Sequence, residues 1–393
     1  MNFQLSDEHA MFRRVLQNFV REHITPVARD WEHEGRYPAE IVEAMKRMGL
    51  FGLTIPETYG GMGADTVSLA LVFEELSRGW MGIAGILGSH SLSCWMIDRY
   101  GTDEQRSHYL PALATGERRT CIALTEAHTG SDLQGIATRA RRDGHHYVVR
   151  GAKFWITNAR HASLLPVLVK TDPTADPPHR GMSILLVDAG TAGLAIGRDI
   201  GKLGYKGPES CEVVLDDVRV PADRLLGGIE GRGLQQALSA LEVGRINVAA
   251  RAVGLAQAAY DAAARYATER HAFDRHGTAG RPQPIAEFQA IQIKLADMAT
   301  NVQAARLLTW WAATELDAGH RADLQTSMAK LFASEVALTA ALESLRVHGG
   351  AGYSTELDVE RLYRDAPLMA IGEGTSDILR MLIARRLLSG TPV

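Results

Sequence analysis

Cysteine is scarce. The 393 residues hold three, at positions 94, 121 and 211, with no CxxC pair and no histidine nearby at metal-ligand spacing. That leaves no basis for a disulfide framework or a cysteine metal site, and a reducing cytoplasm is the expected setting. Each thiol is expected to be a small buried apolar residue, since free cysteine is among the most buried types. An excess of charge of one sign is lacking as well. Lys and Arg total 42 against 46 Asp and Glu, a formal charge of −4, and the two signs are interspersed, so nothing points to nucleic acid. There is no long apolar run. The best candidate, Met81 to Ile97, is broken by Ser89, His90, Ser91 and Ser93, so it cannot present the roughly 20 apolar residues a membrane span needs and is expected to be a buried helix. The first residues, MNFQLSDEHAMFRR, place acids where an export signal needs a basic start. Internal repeats and low-complexity tails are absent too.

What is present is ordinary globular composition, 46% hydrophobic and 22% charged, over a length that calls for more than one core. Three domains in an α+β arrangement are expected. Residues 1–118 read as helical, with Phe12, Val15, Leu16 and Phe19 at helix spacing and a Gly-rich break at Tyr59–Gly63. Residues 119–230 change to short β-forming runs: CIALT, HHYVVRGAKFWIT, LLPVLVKT, MSILLVD, LAIGRDI and CEVVLDDVRV. The stretch DPTADPP, from Asp172 to Pro178, must be a turn. Residues 231–393 return to helical period as a bundle, with Leu324, Met328, Leu331, Val336, Leu338, Leu342 and Leu345 as one stripe. The last helix is expected to begin after Thr375 as N-cap, with Asp377 in its first turn, and to stop before Gly390. The run DRHGTAGRPQ, 274–283, interrupts the helical texture and is expected to be an exposed loop.

Three segments carry chemistry. In Leu124-Thr125-Glu126-Ala127-His128-Thr129-Gly130-Ser131-Asp132, hydroxyls and consecutive amides offer an anion-binding turn, although an isolated match is most often a plain Gly-Ser turn. In Phe154-Trp155-Ile156-Thr157-Asn158 an indole beside a hydroxyl suits a flavin ring, against the plainer reading of a core tryptophan. In Gly372-Glu373-Gly374-Thr375-Ser376 a carboxylate lies between two glycines, which let backbone approach a ligand; a desolvated glutamate there suits a general base. The alternative is an acid favoured by the dipole of the following helix.

In this order, TEAHTGSD at 125–132, WITN at 155–158, ERHAF at 269–273, IAEFQ at 285–289, HGGAGY at 348–353 and GEGTS at 372–376 resemble the acyl-CoA dehydrogenase family over essentially the whole chain. The resemblance implies a helical N-terminal domain, a β-barrel-like middle domain and a C-terminal four-helix bundle that bind FAD. It implies flavin contacts at Leu124, Thr125, Gly130, Ser131, Trp155 and Thr157. Arg270, Phe273, Gln289, Arg346, Gly349 and Gly350 would reach the FAD of a neighbouring subunit in a homotetramer, a dimer of dimers, and Thr375 and Ser376 would lie near the cofactor. Acyl-CoA contacts are implied at Ser131, Glu242, Arg245 and Gly374. Glu373 is implied as the catalytic base, because the position that supplies the base in some members is Gly244 here. No metal is implied. The reaction would convert a saturated short- to medium-chain or branched acyl-CoA to trans-2-enoyl-CoA, as in β-oxidation, and pass electrons to an electron-transfer flavoprotein.

The chain departs from the family pattern at Ala127, His128, Thr129, Arg346 and the 274–283 insertion. A flavin oxidase or monooxygenase on the same fold is the rival enzyme and a helical scaffold the rival non-enzyme. Ile83–Leu92, expected along the acyl tunnel, holds no arginine, which disfavours a dicarboxylyl chain because a distal carboxylate wants a cation.

Overall fold

The computed structural model describes residues 4–272 and 282–390. Helices α1 (Asp7–Phe19), α2 (Ala28–Glu34), α3 (Ala39–Arg47), α4 (Thr66–Tyr100) and α5 (Asp103–Ala114) come first. Strands β1 (Arg139–Asp143), β2 (His146–Thr157), β3 (Leu164–Lys170), β4 (Met182–Asp188), β5 (Leu194–Asp199) and β6 (Ser210–Pro221) follow. Helices α6 (Gly233–Glu269), α7 (Gln289–Asp317), α8 (Asp323–His348), α9 (Val359–Ile371) and α10 (Ser376–Leu388) complete the chain. The segment Met81–Ile97 forms the buried second half of α4, after a break at Trp80 (φ −159°, ψ 110°). All three cysteines are buried.

The six strands make one sheet in the order β4-β3-β1-β2-β6-β5. It curls, so that Leu165 and Val167 of β3 and Leu185 and Val187 of β4 share a core with Val213, Leu215 and Val218 of β6. Two details differ from the sequence pattern. CIALT with the preceding Thr120 forms no strand among the described residues, only isolated bridges to β3 at Thr120 with Leu164 and Ala123 with Val167. The strand RARRD, β1, has four charged residues in five and only Ala140 buried, so it lacks an alternating apolar signature although it pairs with both β2 and β3.

Helices α6, α7, α8 and α9 form the C-terminal bundle. On α8 the deeply buried face is mostly small, with Ala329, Ala333, Ala337, Ala340, Ala341, Ser334 and Ser344; of the stripe, Leu324 and Val336 are buried, whereas Met328, Leu331, Leu338, Leu342 and Leu345 are only half-buried. Small residues let α8 and α6 approach closely, and α6 answers with Ala249, Ala252, Ala256, Ala259 and Ala263. The leucine stripe is therefore not the main core face.

Inside the β-domain, Lys153 is fully buried and donates to Glu126 Oε1 (2.9 Å) and the Leu124 carbonyl (3.0 Å). Glu126 also accepts from the Ala137 N–H (2.7 Å), the Thr138 N–H (3.0 Å) and the Thr138 hydroxyl (2.6 Å). Burial alone would raise this carboxyl, but the Thr138 and Ala137 donors and Lys153 outweigh it and hold it at about 2. Removing one member of such a pair strands the other in a poorly solvated site. Lys153→Met is expected to cost about 3–5 kcal/mol, seen as a lower thermal midpoint, and Glu126→Gln combined with Lys153→Met is expected to cost less than the sum of the single changes.

Candidate active site

Helix α9 ends at Ile371, and α10 begins at Ser376 behind its N-cap Thr375, whose hydroxyl accepts from the Ile378 N–H at 3.3 Å. Between them Glu373 takes a left-handed backbone (φ 52°), followed by Gly374 at φ 100°. A non-glycine residue held there costs free energy, and such strain is concentrated at functional positions. Lys330 of α8 anchors the connector by donating to the Gly374 carbonyl at 2.6 Å, and Ser334 donates to the Met369 carbonyl at 2.8 Å.

The Glu373 carboxylate is mostly enclosed, with 21% of the side chain exposed. Its Oε2 is buried without a hydrogen-bond partner, and Oε1 stands 3.8 Å from Arg251 Nη2. Burial pushes the carboxyl up to about 7 against the pull of Arg251, Lys330 and Arg245. The opposite wall is Gly244 of α6: a β-carbon built there would lie 2.0 Å from Glu373 Oε2 and 3.5 Å from Leu92 Cδ1. The carboxylate thus occupies space that any side chain at 244 would fill.

Glu242 and Arg245 flank Gly244 along α6. Glu242 accepts from the Ala322 N–H at 3.1 Å, and Arg245, largely buried, donates to the Ser327 hydroxyl at 3.3 Å, which places both at the start of α8. Two turns beyond Gly244, Arg251 carries its guanidinium toward Glu373. Across from α6, α4 contributes Gly88, where a β-carbon would meet the Asn247 amide at 2.5 Å, and Gly85, where it would stand 1.6 Å from the Tyr205 hydroxyl. Tyr205 itself is left-handed (φ 56°) and buried, and its N–H donates to Asp365 Oδ1 at 2.5 Å. Its phenol faces Arg251, Glu373 and Thr157.

The β-domain residues converge at the end of β2. Thr125 is paired to Phe154 in both directions, the Phe154 N–H donating to the Thr125 carbonyl at 2.9 Å and the Thr125 hydroxyl to the Phe154 carbonyl at 2.6 Å. Trp155 sits in the irregularity between Lys153 and Ile156 where β2 pairs β6; its backbone is left-handed (φ 64°) and its side chain is not in the core, the residue being 53% exposed. A large indole held outward by a strained backbone is the mark of a ligand-facing aromatic. The Thr157 hydroxyl lies 3.3 Å from Ser210 Oγ and also faces the Tyr205 phenol. Leu124 is buried, and Gly130 and Ser131 are exposed on the turn closed by the Glu126 and Thr129 backbones.

Family models for the N-terminal, middle and C-terminal domains of acyl-CoA dehydrogenases match residues 6–117, 121–218 and 231–388. The chain belongs to the acyl-CoA dehydrogenase family. It is 42% identical over 390 residues to a probable acyl-CoA dehydrogenase, YngJ, of Bacillus subtilis, covering 99% of this chain and 100% of that protein. Its fold superimposes on butyryl-CoA dehydrogenase of Megasphaera elsdenii with a TM-score of 0.93 at 33% identity, over 99% of this chain and 100% of the other. A glutaryl-CoA dehydrogenase of Mycobacterium smegmatis, solved with FADH2, aligns at a TM-score of 0.90 and 30% identity over 99% and 96% of the two chains. This dehydrogenase is therefore an FAD-dependent oxidoreductase acting on acyl-CoA.

The residues of the dehydrogenase fit that cofactor: an outward indole, the Thr157 hydroxyl close by on the same strand, and the buried Ser376 Oγ, which has no hydrogen-bond partner among the described residues. Thr375 and Ser376 open α10 beside Glu373. Five further positions are not brought to this cluster by any hydrogen bond or ion pair among the described residues. Arg270 and Gln289 are exposed at the ends of α6 and α7; Arg346 is exposed and pairs with Glu343 at 2.5 Å; Gly349 and Gly350 are exposed after α8. Phe273 and most of the 274–283 run lie outside the described residues.

Arg251, Tyr205 and Lys330 did not stand out in the sequence. For Arg251 a signal exists: seven residues after Gly244 on one helix puts it on the same face. An arginine does reach Glu373, from α6 rather than from Ile83–Leu92. Lys330 was hidden in an apolar stripe, and Tyr205 lies in a loop with no periodicity to read.

Proposed function

We infer that this dehydrogenase removes the α-proton and β-hydride of a short saturated acyl-CoA, straight or branched, to give the trans-2-enoyl-CoA, with Glu373 as the base. The observation that carries this reading is the strained, buried Glu373 carboxylate, with one oxygen unpartnered and Gly244 making its room. A base of this kind must be enclosed enough to be basic near neutrality and still reach the substrate. The Glu373 N–H, which makes no hydrogen bond among the described residues, is the chain's own donor to the thioester oxygen as charge builds there. Bound FAD supplies the hydride acceptor. Leu124, Thr125, Gly130, Ser131, Trp155 and Thr157 would hold it from the β-domain, with Thr375 and Ser376 from α10. Arg270, Gln289, Arg346, Gly349 and Gly350, all exposed, would serve the FAD of a partner subunit in a homotetramer. Ser131, Glu242, Arg245 and Gly374 would border the acyl-CoA, and an electron-transfer flavoprotein would take the electrons.

Anaerobic mixing of the yellow holoenzyme with butyryl-CoA tests the reading. Rapid bleaching with slow recovery in air is expected; fast recovery with hydrogen peroxide release would make the protein an oxidase, and no bleaching with any acyl-CoA would overturn the assignment. The rate should also depend on pH. With the Glu373 carboxyl raised to about 7, and Arg251, Lys330, Arg245 and Tyr205 the ionisable groups around it, the base is charged above that value and protonated below it. Single-turnover flavin reduction is expected to fall about tenfold per pH unit below about pH 6 and to level off in alkali; a flat profile from about pH 5 to 8 would remove Glu373 as the titrating group.

A further inference from the structure

We propose that the acyl chain accepted by this site ends in a carboxylate, so that the substrate is the CoA monothioester of a short dicarboxylic acid, and that Arg251 with the Tyr205 hydroxyl is the specificity-determining receptor for that far end. This rests on the function proposed above and specifies its substrate class.

The argument begins with how the cations of the site are partnered. Arg245 donates to Ser327 and has Glu242 and Asp323 as nearby anions. Lys330 is bonded to the Gly374 carbonyl. Arg251 differs. Its side chain is 8% exposed, its Nε is buried with no hydrogen-bond partner as that of Arg245 is, its head meets the Tyr205 phenol, and among the described residues its one carboxylate within 4 Å is Glu373, at 3.8 Å, too long for a hydrogen bond. A buried guanidinium with five donors and only a phenol close to it is costly, and the natural complement to its planar fork is a second carboxylate.

The reaction makes the mismatch worse. When Glu373 takes the substrate proton it becomes neutral, and Arg251 loses even its distant counter-charge. An anionic group at the end of the acyl chain restores it at the moment it is lost. A plain alkyl chain would instead lay methylene groups against an unpaired buried cation.

Distance sets the length of chain. The reacting carbon must approach the Glu373 oxygen to about 3–3.5 Å, and the guanidinium is 3.8 Å from the same carboxylate, so the two lie within about 7 Å of each other. A charge-assisted N–H···O bond takes about 2.8 Å of that. The remainder is spanned by two or three C–C bonds of about 1.5 Å, which describes a four- or five-carbon diacid. The floor is built to be short: Tyr205 is held left-handed by Asp365, and its ring fills the space that a side chain at Gly85 would need, beside Arg251.

The experiment compares two CoA thioesters that cannot be oxidised because sulfur replaces the β-carbon: 3-thiaglutaryl-CoA and its isostere 5-methyl-3-thiahexanoyl-CoA, with an isopropyl group for the carboxylate. Dissociation constants are read from the flavin spectrum of the holoenzyme. Wild type is expected to bind the carboxylate probe about tenfold to a hundredfold more tightly, Arg251→Gln to lose or reverse that preference, and Arg251→Lys to keep part of it. Bleaching by glutaryl-CoA and butyryl-CoA is measured in parallel. Tighter binding of the alkyl probe by wild type, with bleaching by butyryl-CoA, overturns this inference and leaves the dehydrogenase reading standing; bleaching by neither substrate removes both. Should Arg251→Gln fail to hold flavin, the wild-type ratio and the Arg251→Lys variant decide the matter.

Discussion

Glu373→Gln is expected to slow anaerobic flavin reduction by the best acyl-CoA about 10³- to 10⁴-fold while the protein stays yellow and folded. Glutamine keeps the shape of the side chain but has no basic oxygen. The surroundings that suit Glu373 to the proposed role of base also make it expensive when ionised, and this gives a second readout. Its carboxyl moves from 4.5 in the unfolded chain to about 7 in the fold, chiefly through burial, with Arg251, Lys330 and Arg245 opposing. A raised carboxyl means that the folded protein favours the neutral form. The penalty is absent below the unfolded value, grows as pH rises from 4.5, and is complete above about 7. Glutamine carries no such penalty. The variant is therefore expected to be more stable than wild type near pH 8 by on the order of 3 kcal/mol, and to lose that advantage near pH 4. Thermal midpoints of the two proteins at both pH values give the comparison. A variant that reduces its flavin within about tenfold of the wild-type rate would show that the base lies elsewhere.

Part of this candidate site was legible in the sequence, and the reasons differ by residue. Glu373 was readable because a carboxylate between two glycines at a helix start is locally odd, and the structure supplies the cause: one residue left-handed at φ 52°, the next at φ 100°. Trp155 stood out as a candidate flavin contact only through its company, since composition alone favours a core tryptophan; its outward pose comes from an irregularity in the pairing of β2 with β6, a tertiary feature that no local propensity encodes. Strand β1 was invisible because pairing on both sides, not side-chain alternation, holds RARRD in place. The leucine stripe of α8 misled for the opposite reason: close packing of α6 on α8 selects small residues, so alanine and serine mark the core face. Arg251 shows the limit of scanning one segment at a time. Its neighbours in space come from the loop at Tyr205 and the α9–α10 connector, and only the assembled fold shows that, among the described residues, its cation lacks a close carboxylate.

Gly244→Ala is expected to lower the rate of flavin reduction about a hundredfold without destabilising the fold. Alanine is the better helix former by roughly 1 kcal/mol, so α6 itself gains from the change. The new methyl, however, would fall 2.0 Å from Glu373 Oε2. The connector from Gly372 to Gly374 is tied to α8 through Lys330 and cannot simply retreat, so the carboxylate must swing aside. A displacement of about 1 Å in a reacting group is enough for a hundredfold loss. Expected together are a slower reduction step, a thermal midpoint equal to or above that of wild type, and a flavin spectrum unchanged before substrate is added. A rate within about threefold of wild type would mean that Glu373 does not need the space above Gly244. Because both walls face the same carbon in this reading, the pair Gly244→Glu with Glu373→Gly is expected to recover part of the rate lost in Glu373→Gly alone. The base would then stand on α6 and point across the same gap.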